Sequence, residues 1–271
     1  MIFDLHVHTT YSDGLLSPKQ VIDLAIKNGL DGISITDHDT VSGIESAIEY
    51  SKNMHNFYII PGIEFSCIHK NEEVHILGYF IDHKSSDIIN LTQKLKEFRK
   101  LRGLKMIDRL KDLGVNLTED KVKELSKQNN IGRPHIARAL VKFGYANSIM
   151  DAFEKYLGVD KPGYVERYKL NIKDTLDLIH RVDGIAVIAH PGILENKKII
   201  NYCLELGIDG LEVIHSKHTK SHIEYLLQIA NNHNLIVTGG SDCHGEIING
   251  EYLLGKYYIN ISDIPTMKGR I

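Results

Sequence analysis

Histidines and carboxylates recur in this chain where a β-prone run has just given way to a loop, and no other feature constrains the fold as tightly. The first run, Ile2 to Val7, carries His6 and leads directly to His8. Side chains alternate faces along a strand, so these two imidazoles point the same way and can close on one ion. Asp13 follows in a Ser-Asp-Gly turn that can fold its carboxylate back over the strand end. Gly32 to Thr36 is a second short strand, ending in Asp37-His38-Asp39. Phe57 to Ile60 is a third, leading into Pro61-Gly62-Ile63-Glu64-Phe65-Ser66, and Val74 to Phe80 is a fourth with His75 inside it. Later runs end in His190-Pro191-Gly192, in His215-Ser216-Lys217-His218 and in Ser241-Asp242-Cys243-His244.

Helical segments separate these strands. Ser17 is an N-cap candidate, Pro18 suits a first turn, and Val21, Leu24, Ala25 and Ile26 supply an apolar face. Further helices are expected over about 42–53, 172–182, 197–206 and 220–232. Alternating strands and helices predict a parallel α/β barrel, in which every strand's C-terminal end faces one mouth and the active site lies there. His6, His8, Asp13, His38, Glu64, His75, His190, Asp242 and His244 would then converge. One histidine at a strand end is an ordinary core residue. Five such groups at successive strand ends (His38, Glu64, His190, Asp242 and His244), joined by His6 and His8 on the first strand, His75 within its own and Asp13, predict a metal cluster, and mixed imidazole and carboxylate donors suit Mn first, with Fe or Zn as alternatives, over Mg or Ca. Cys243 lies between two of these residues, and alternation turns it away, toward packing.

From about residue 85 the texture changes. Leu91, Leu95, Phe98, Leu101, Leu104, Ile107 and Leu110 mark one long amphipathic helix, and short helices broken by Gly114, Gly132, Gly144 and Gly158 follow. Residues 91–161 hold sixteen Lys and Arg against nine Asp and Glu, a net of +7; the whole chain is -3, so the remainder carries -10. We therefore expect a barrel formed by residues 1–90 and 162–271 and a basic helical insertion at 91–161 that caps the substrate.

A chain of 271 residues, 42% hydrophobic, can bury a sizeable core. Its small net charge gives no general attraction to membranes or duplex DNA, and no apolar run is long enough to span a bilayer. Cys67, Cys203 and Cys243 are odd in number and widely spaced. They form no disulfide framework, and a cytoplasmic location is expected.

Taken in order, His-x-His-x4-Asp-Gly, Thr-Asp-His, Pro-Gly-Ile-Glu-Phe, Val-His-Ile-Leu-Gly-Tyr, Ala-His-Pro-Gly and Gly-Ser-Asp-Cys-His resemble the motifs of the PHP (polymerase and histidinol phosphatase) superfamily. With Gly132-Arg133-Pro134-His135 and Ser216-Lys217-His218-Thr219, the chain is similar to the branch of nucleoside 3',5'-bisphosphate phosphatases and ribonuclease AM-like enzymes. The resemblance implies a distorted seven-stranded TIM-like barrel, three divalent metals and hydrolysis of nucleotide phosphate esters, as a 3'-phosphatase or as a 5'-3' exonuclease on short RNA. It implies one metal held by His6, His8, Glu64 and Asp242, a second by Glu64, His75 and His190, and a third by Asp13, His38 and His244. Glu64, His190 and Asp242 would be catalytic through an activated hydroxide attacking in line. Arg133, His135, Lys217 and His218 are the candidates for holding a second phosphate, with His218 also a candidate proton donor to the leaving group. Asp37 and Asp39 would orient ligands from behind. Two alternatives are a phosphatase of another small monoester such as histidinol phosphate, and a non-catalytic metal or nucleic-acid binding module.

Overall fold

The computed structural model describes residues 1–125 and 131–271; residues 126–130 of the expected insertion lie outside the described residues. In chain order it runs β1 (Ile2–Val7), α1 (Pro18–Lys27), β2 (Gly32–Ile35), α2 (Ile44–Ser51), β3 (Tyr58–His69) and β4 (Glu72–Tyr79). The helical stretch comprises α3 (Ser86–Asp112), α4 (Glu119–Lys123), α5 (Arg133–Lys142) and α6 (Ile149–Ala152). The chain returns through α7 (Ile172–Arg181), β5 (Ile185–Ile188), α8 (Lys198–Glu205), β6 (Gly210–His215), α9 (Lys220–His233) and β7 (Ile236–Gly240). A small hairpin of β8 (Ile247–Ile248) and β9 (Glu251–Tyr252), then β10 (Ile259–Asn260) and α10 (Pro265–Lys268), complete it.

One eight-stranded sheet in the order β10-β1-β2-β3-β4-β5-β6-β7 forms the barrel. Seven strands match the expectation, and β10 adds an eighth by pairing antiparallel with the start of β1. The ends of the sheet approach each other at the mouth, where Asp242 N donates to His6 O at 2.9 Å and His8 N donates to Cys243 O at 3.0 Å. Gly240 permits that closure, because a Cβ there would lie 2.4 Å from His6 N.

The sheet departs from the all-parallel expectation at β4, which runs antiparallel to both β3 and β5. The reason lies in the tight turn between β3 and β4, where Lys70 and Asn71 both have positive φ and return the chain as a hairpin. β3 is also longer than the expected 57–60. Its first residues pair with β2 as far as Pro61, and from Gly62 onward it pairs with β4. Pro61, lacking an N–H, thus sits where the strand changes partner, a place that tolerates it. The extension carries Glu64 past the end of β2 to the mouth, opposite His38. His75 reaches the same mouth because β4 enters from there.

Ser17 caps α1 as expected: its backbone N donates to Gln20 Oε1 at 2.9 Å and its hydroxyl accepts from Gln20 N, a pairing worth about 1 kcal/mol. Helices α7 to α9 cover one part of the sheet through Leu176, Ile179, Ile200, Cys203 and Leu226. Helices α1 and α2 cover another through Val21, Ile22 and Ala47, with Cys243 packed among them. A separate core joins the second half of α3 (Met106, Ile107, Leu110) to Val122 of α4 and to Ile136 and Leu140 of α5. The first half of α3 packs instead on the sheet, through Ile88 and Leu95. All three cysteines are buried and free. Among the described residues no helix is long and apolar enough to cross a membrane.

Candidate active site

The nine side chains named above meet at the barrel mouth. Three of the loops that deliver site residues turn sharply: Asp39, His190 and Asp242 all adopt positive φ, a conformation costly for residues other than glycine and one that clusters at functional sites.

His6, His8, Glu64 and Asp242 form the deepest group. His6 Nε2 lies 3.4 Å from Glu64 Oε2 and 3.5 Å from Asp242 Oδ1. His8 Nε2 lies 3.3 Å and 3.1 Å from the same two oxygens. On one side, Glu64 Oε1 is 2.7 Å from His75 Nδ1 and 3.2 Å from His190 Nε2. On the other, Asp13 Oδ1 is 3.4 Å from His244 Nε2, and Asp13 Oδ2 is 3.9 Å from His38 Nε2. His38 also reaches Glu64, with Nδ1 2.9 Å from Oε2.

These spacings suit metal ions. Two donor atoms held about 2.0–2.2 Å from one ion lie about 3.0–3.5 Å from each other. His8 Nδ1, Asp13 Oδ1 and His190 Nδ1 are buried without a hydrogen-bond partner among the described residues, and His38 Nδ1 and Glu64 Oε2, though 2.9 Å apart, form no hydrogen bond with each other. Orphaned polar atoms in such number are costly unless something else binds them. Divalent cations fit the donor set, and the residues fall into groups such as His8-Asp13-His38-His244, His6-His8-Glu64 and His38-Glu64-His75.

The electrostatics point the same way. Although burial opposes it, neighbouring imidazoles hold the carboxyls of Glu64, Asp13 and Asp242 well below the usual carboxylate range. Burial also works against charge on His75 and His244, yet Glu64 and Glu73 raise the first to about 10, and Asp13 and Asp242 raise the second to about 10. Burial, reinforced by His244 and His38, pushes His8 down to about 3.

Other residues hold these in place. Glu212, which no local sequence pattern marks as a site residue, accepts from His6 Nδ1 at 2.9 Å and from the His190 backbone N at 2.7 Å. That leaves His6 Nε2 for the cluster, the arrangement by which a carboxylate orients an imidazole ligand. The available signal was a lone carboxylate within the apolar run Gly210 to Ile214. His215, noted above at a strand end but not counted among the nine, joins the cluster with Nε2 3.4 Å from Asp242 Oδ2. Asp37 accepts from Thr9 N and Thr9 Oγ1, each at 2.7 Å, and so fixes the loop that carries Asp13. Asp39 accepts from Ser66 N at 2.9 Å and from Arg99 at 2.6 Å; it orients an arginine, where a role behind a ligand was expected.

A cavity of about 150 Å³ opens beside the cluster, lined by Asp13, His38 and His75 together with Glu73, Arg99, Arg102, Arg133 and Arg167. Arg133 is the residue anticipated here, and three more arginines converge with it. Lys217 is mostly exposed, with Nζ 3.6 Å from Asp242 Oδ2. His135 is buried, and its Nδ1 accepts from Gly132 N at 3.2 Å, bracing the start of α5. His218 is engaged by backbone at both ring nitrogens: Nδ1 lies 2.9 Å from Val213 O, and Nε2 accepts from Gly192 N at 3.0 Å. Held this way it braces the turn after β5 and offers no ring nitrogen to a phosphate or a leaving group.

Such a cluster at a barrel mouth suits a metal-dependent hydrolase, and comparison with known proteins makes the bond a phosphate ester. A family model described as "PHP domain" matches residues 4–128. A "5'-3' exoribonuclease Rnm" of Salmonella typhimurium is 33% identical over 90% of this chain and 85% of its own length. A "Phosphoribosyl 1,2-cyclic phosphate 1,2-diphosphodiesterase" of Eggerthella lenta is 30% identical over 91% and 95%. A "3',5'-nucleoside bisphosphate phosphatase" of Chromobacterium violaceum is 30% identical over 89% and 86%. The crystal structure of a "putative metal-dependent phosphoesterase" from Bifidobacterium adolescentis superposes with a TM-score of 0.89 at 30% identity, covering 99% of this chain and 96% of that one. The chain belongs to the PHP family of metal-dependent phosphoesterases.

Proposed function

We propose that this enzyme hydrolyses a phosphate ester of a nucleotide that carries a second phosphate: a 3',5'-bisphosphonucleotide, or the 5' end of a short RNA. The observation that carries this reading is the arginine-lined cavity opening directly onto the carboxylate–imidazole cluster. One phosphate lies over the cluster while Arg133, with Arg102 and Arg167, grips the other; guanidinium forks suit phosphate oxygens. Histidinol phosphate, with a single phosphate, has no second anionic group to offer those arginines. The activities named for the relatives span both forms of the proposed substrate and a cyclic phosphodiester; the arginine-lined cavity favours the forms that carry a second phosphate.

Three divalent ions, with Mn the first candidate, are held by His6, His8, Glu64 and Asp242; by Glu64, His75 and His190; and by Asp13, His38 and His244. Bound divalent ions supply Lewis acidity, activating water at neutral pH and taking up charge on the phosphoryl oxygens. The chain's own residues fix the rest. Glu212 aims His6, Asp37 aims the Asp13 loop, and Glu64 joins two ligand groups. Residues 91–161, with their own apolar core, act as a cap over the barrel of residues 1–90 and 162–271. Three free buried thiols suit a reducing, cytoplasmic setting.

Arg133→Ala tests the reading. A charged hydrogen bond is worth about 1.5–3 kcal/mol, so kcat/KM for adenosine 3',5'-bisphosphate should fall about ten- to a hundred-fold. Hydrolysis of p-nitrophenyl phosphate, which has no second phosphate, should hardly change. Equal losses on both substrates would place Arg133 in the service of the cluster or the fold.

A further inference from the structure

A second cavity, of about 130 Å³, flanks the cluster where Asp242 and His244 border it, and Lys217, Ile248 and Leu253 also line it. The arginine cavity borders Asp13, His38 and His75 instead. A third cavity, lined by Tyr11 and Lys96, shares His38 and Arg99 with the arginine cavity and so lies on that same side. The hairpin of β8 and β9, which begins three residues after His244, contributes Ile248 to the second cavity. Ile248 pairs with Glu251 across the turn Asn249-Gly250, in which both residues have positive φ, the geometry of a tight two-residue hairpin. This wall is therefore preformed. Ile248 is 47% exposed, so the fold leaves much of its apolar surface unused. Glu246, in the same cavity, is paired with Arg138 at 3.1 Å, whereas the side chain of Lys217 is largely exposed.

We propose that the second cavity receives the nucleoside on the 3' side of the scissile bond, and so makes the end of an RNA strand a substrate alongside a mononucleotide. The inference rests on the reading of the arginine cavity as the second-phosphate site, here the site of the 5'-phosphate. The linkage phosphate over the cluster then carries two ester oxygens. One, the 3'-oxygen of the first nucleoside, leads back to the arginines. The other, the 5'-oxygen of the next nucleoside, has to leave on another side, and the cavity bordered by Asp242 and His244 lies there. Hydrolysis adds the oxygen of water to phosphorus and breaks its bond to the 3'-oxygen, which takes a proton; the phosphate stays on the next nucleoside. A 3',5'-bisphosphonucleotide breaks at the same bond but places nothing in the second cavity. In RNA the next base packs on Ile248, apolar surface against a ring face, and Lys217 meets the phosphate that follows it.

The test compares kcat/KM of the full-length protein on adenosine 3',5'-bisphosphate and on 5'-phosphorylated diadenosine dinucleotide. Both release adenosine 5'-phosphate, read by chromatography. Wild type should cleave both. Ile248→Ser should lower the rate on the dinucleotide about five- to tenfold and leave the bisphosphate within about twofold. Ile248→Phe, which keeps an apolar surface, should retain most of the dinucleotide activity. The bisphosphate serves as the control for fold and cluster in each preparation. Equal losses on both substrates, no loss on either, or a wild type that cleaves the bisphosphate alone overturns the inference. Arg133→Ala separates it from the reading beneath it, and should lose activity on both substrates. If it loses on neither, the second-phosphate site falls and this inference with it. If it loses on both while Ile248→Ser is unchanged, only the role of the second cavity falls.

Discussion

At the scale of single residues, the site is a set of imidazoles and carboxylates each oriented by a second group, and Glu212 tests that most directly. It is buried, and despite burial the adjacent His6 holds its carboxyl below the usual range. Glu212→Gln preserves shape but turns one face of the side chain from acceptor to donor. One of its two bonds, to His6 Nδ1 or to His190 N, is then lost. Groups in this position typically contribute 10- to 100-fold in metal affinity, so a loss of about that size is expected, measured by competition with a chelator and by elemental analysis after dialysis. Unchanged affinity would mean that His6 keeps its orientation without Glu212. The sequence made most of the clustered side chains legible because His8, His38, His190, Asp242 and His244 stand just past a strand end, where position follows from local pattern, whereas Glu64 and His75 lie inside β3 and β4 and reach the mouth through the pairing of those strands. Glu73, Arg99, Arg102 and Arg167 carry no such local mark. Their meeting depends on the face that α3 presents and on the register of the β3–β4 hairpin, and both are tertiary facts. His218 shows the converse failure: its position was legible, but the two backbone groups that occupy its ring were not.

At the scale of elements, α3 ties the sheet to the helical stretch. Its first half packs on the sheet and its second half joins Val122, Ile136 and Leu140. Arg99 and Arg102 reach the cavity from near the changeover. The close approach there is at Gly103, where a Cβ would lie 2.4 Å from Ile131 Cγ2 and 2.7 Å from Ile131 O. Ile131 stands two residues before Arg133, so crowding at Gly103 displaces the start of α5. Gly103→Ala should cost about 1–3 kcal/mol by overpacking, lowering the melting temperature by about 2–10 °C. It should also raise KM for adenosine 3',5'-bisphosphate more than for p-nitrophenyl phosphate. A normal melt with normal kinetics would show that α3 and this segment separate at little cost. The long helix was readable from its apolar stripe; the division of that stripe between two cores was not, because the periodicity is the same on both sides of Gly103.

At the scale of the whole molecule, metal, protons and stability are coupled, and the sign can be worked out. In the metal-free protein His75 and His244 have pKa values near 10, above the ordinary imidazole value. Their ion pairs therefore stabilise the fold fully below about 6.5, and that contribution fades as pH rises toward 10. Divalent ions need the neutral imidazole, so they must displace those protons. Each displaced proton strengthens apparent metal affinity by up to about 1.4 kcal/mol per pH unit across that window, and binding to the folded state alone becomes stability by mass action. The melting temperature in excess Mn should thus exceed that in chelator by a margin that widens from pH 6 to pH 9. The two curves are obtained by differential scanning calorimetry at matched ionic strength. A margin that stays flat across this range would mean that binding displaces no imidazole protons, and His75 and His244 would then lie outside the metal centre.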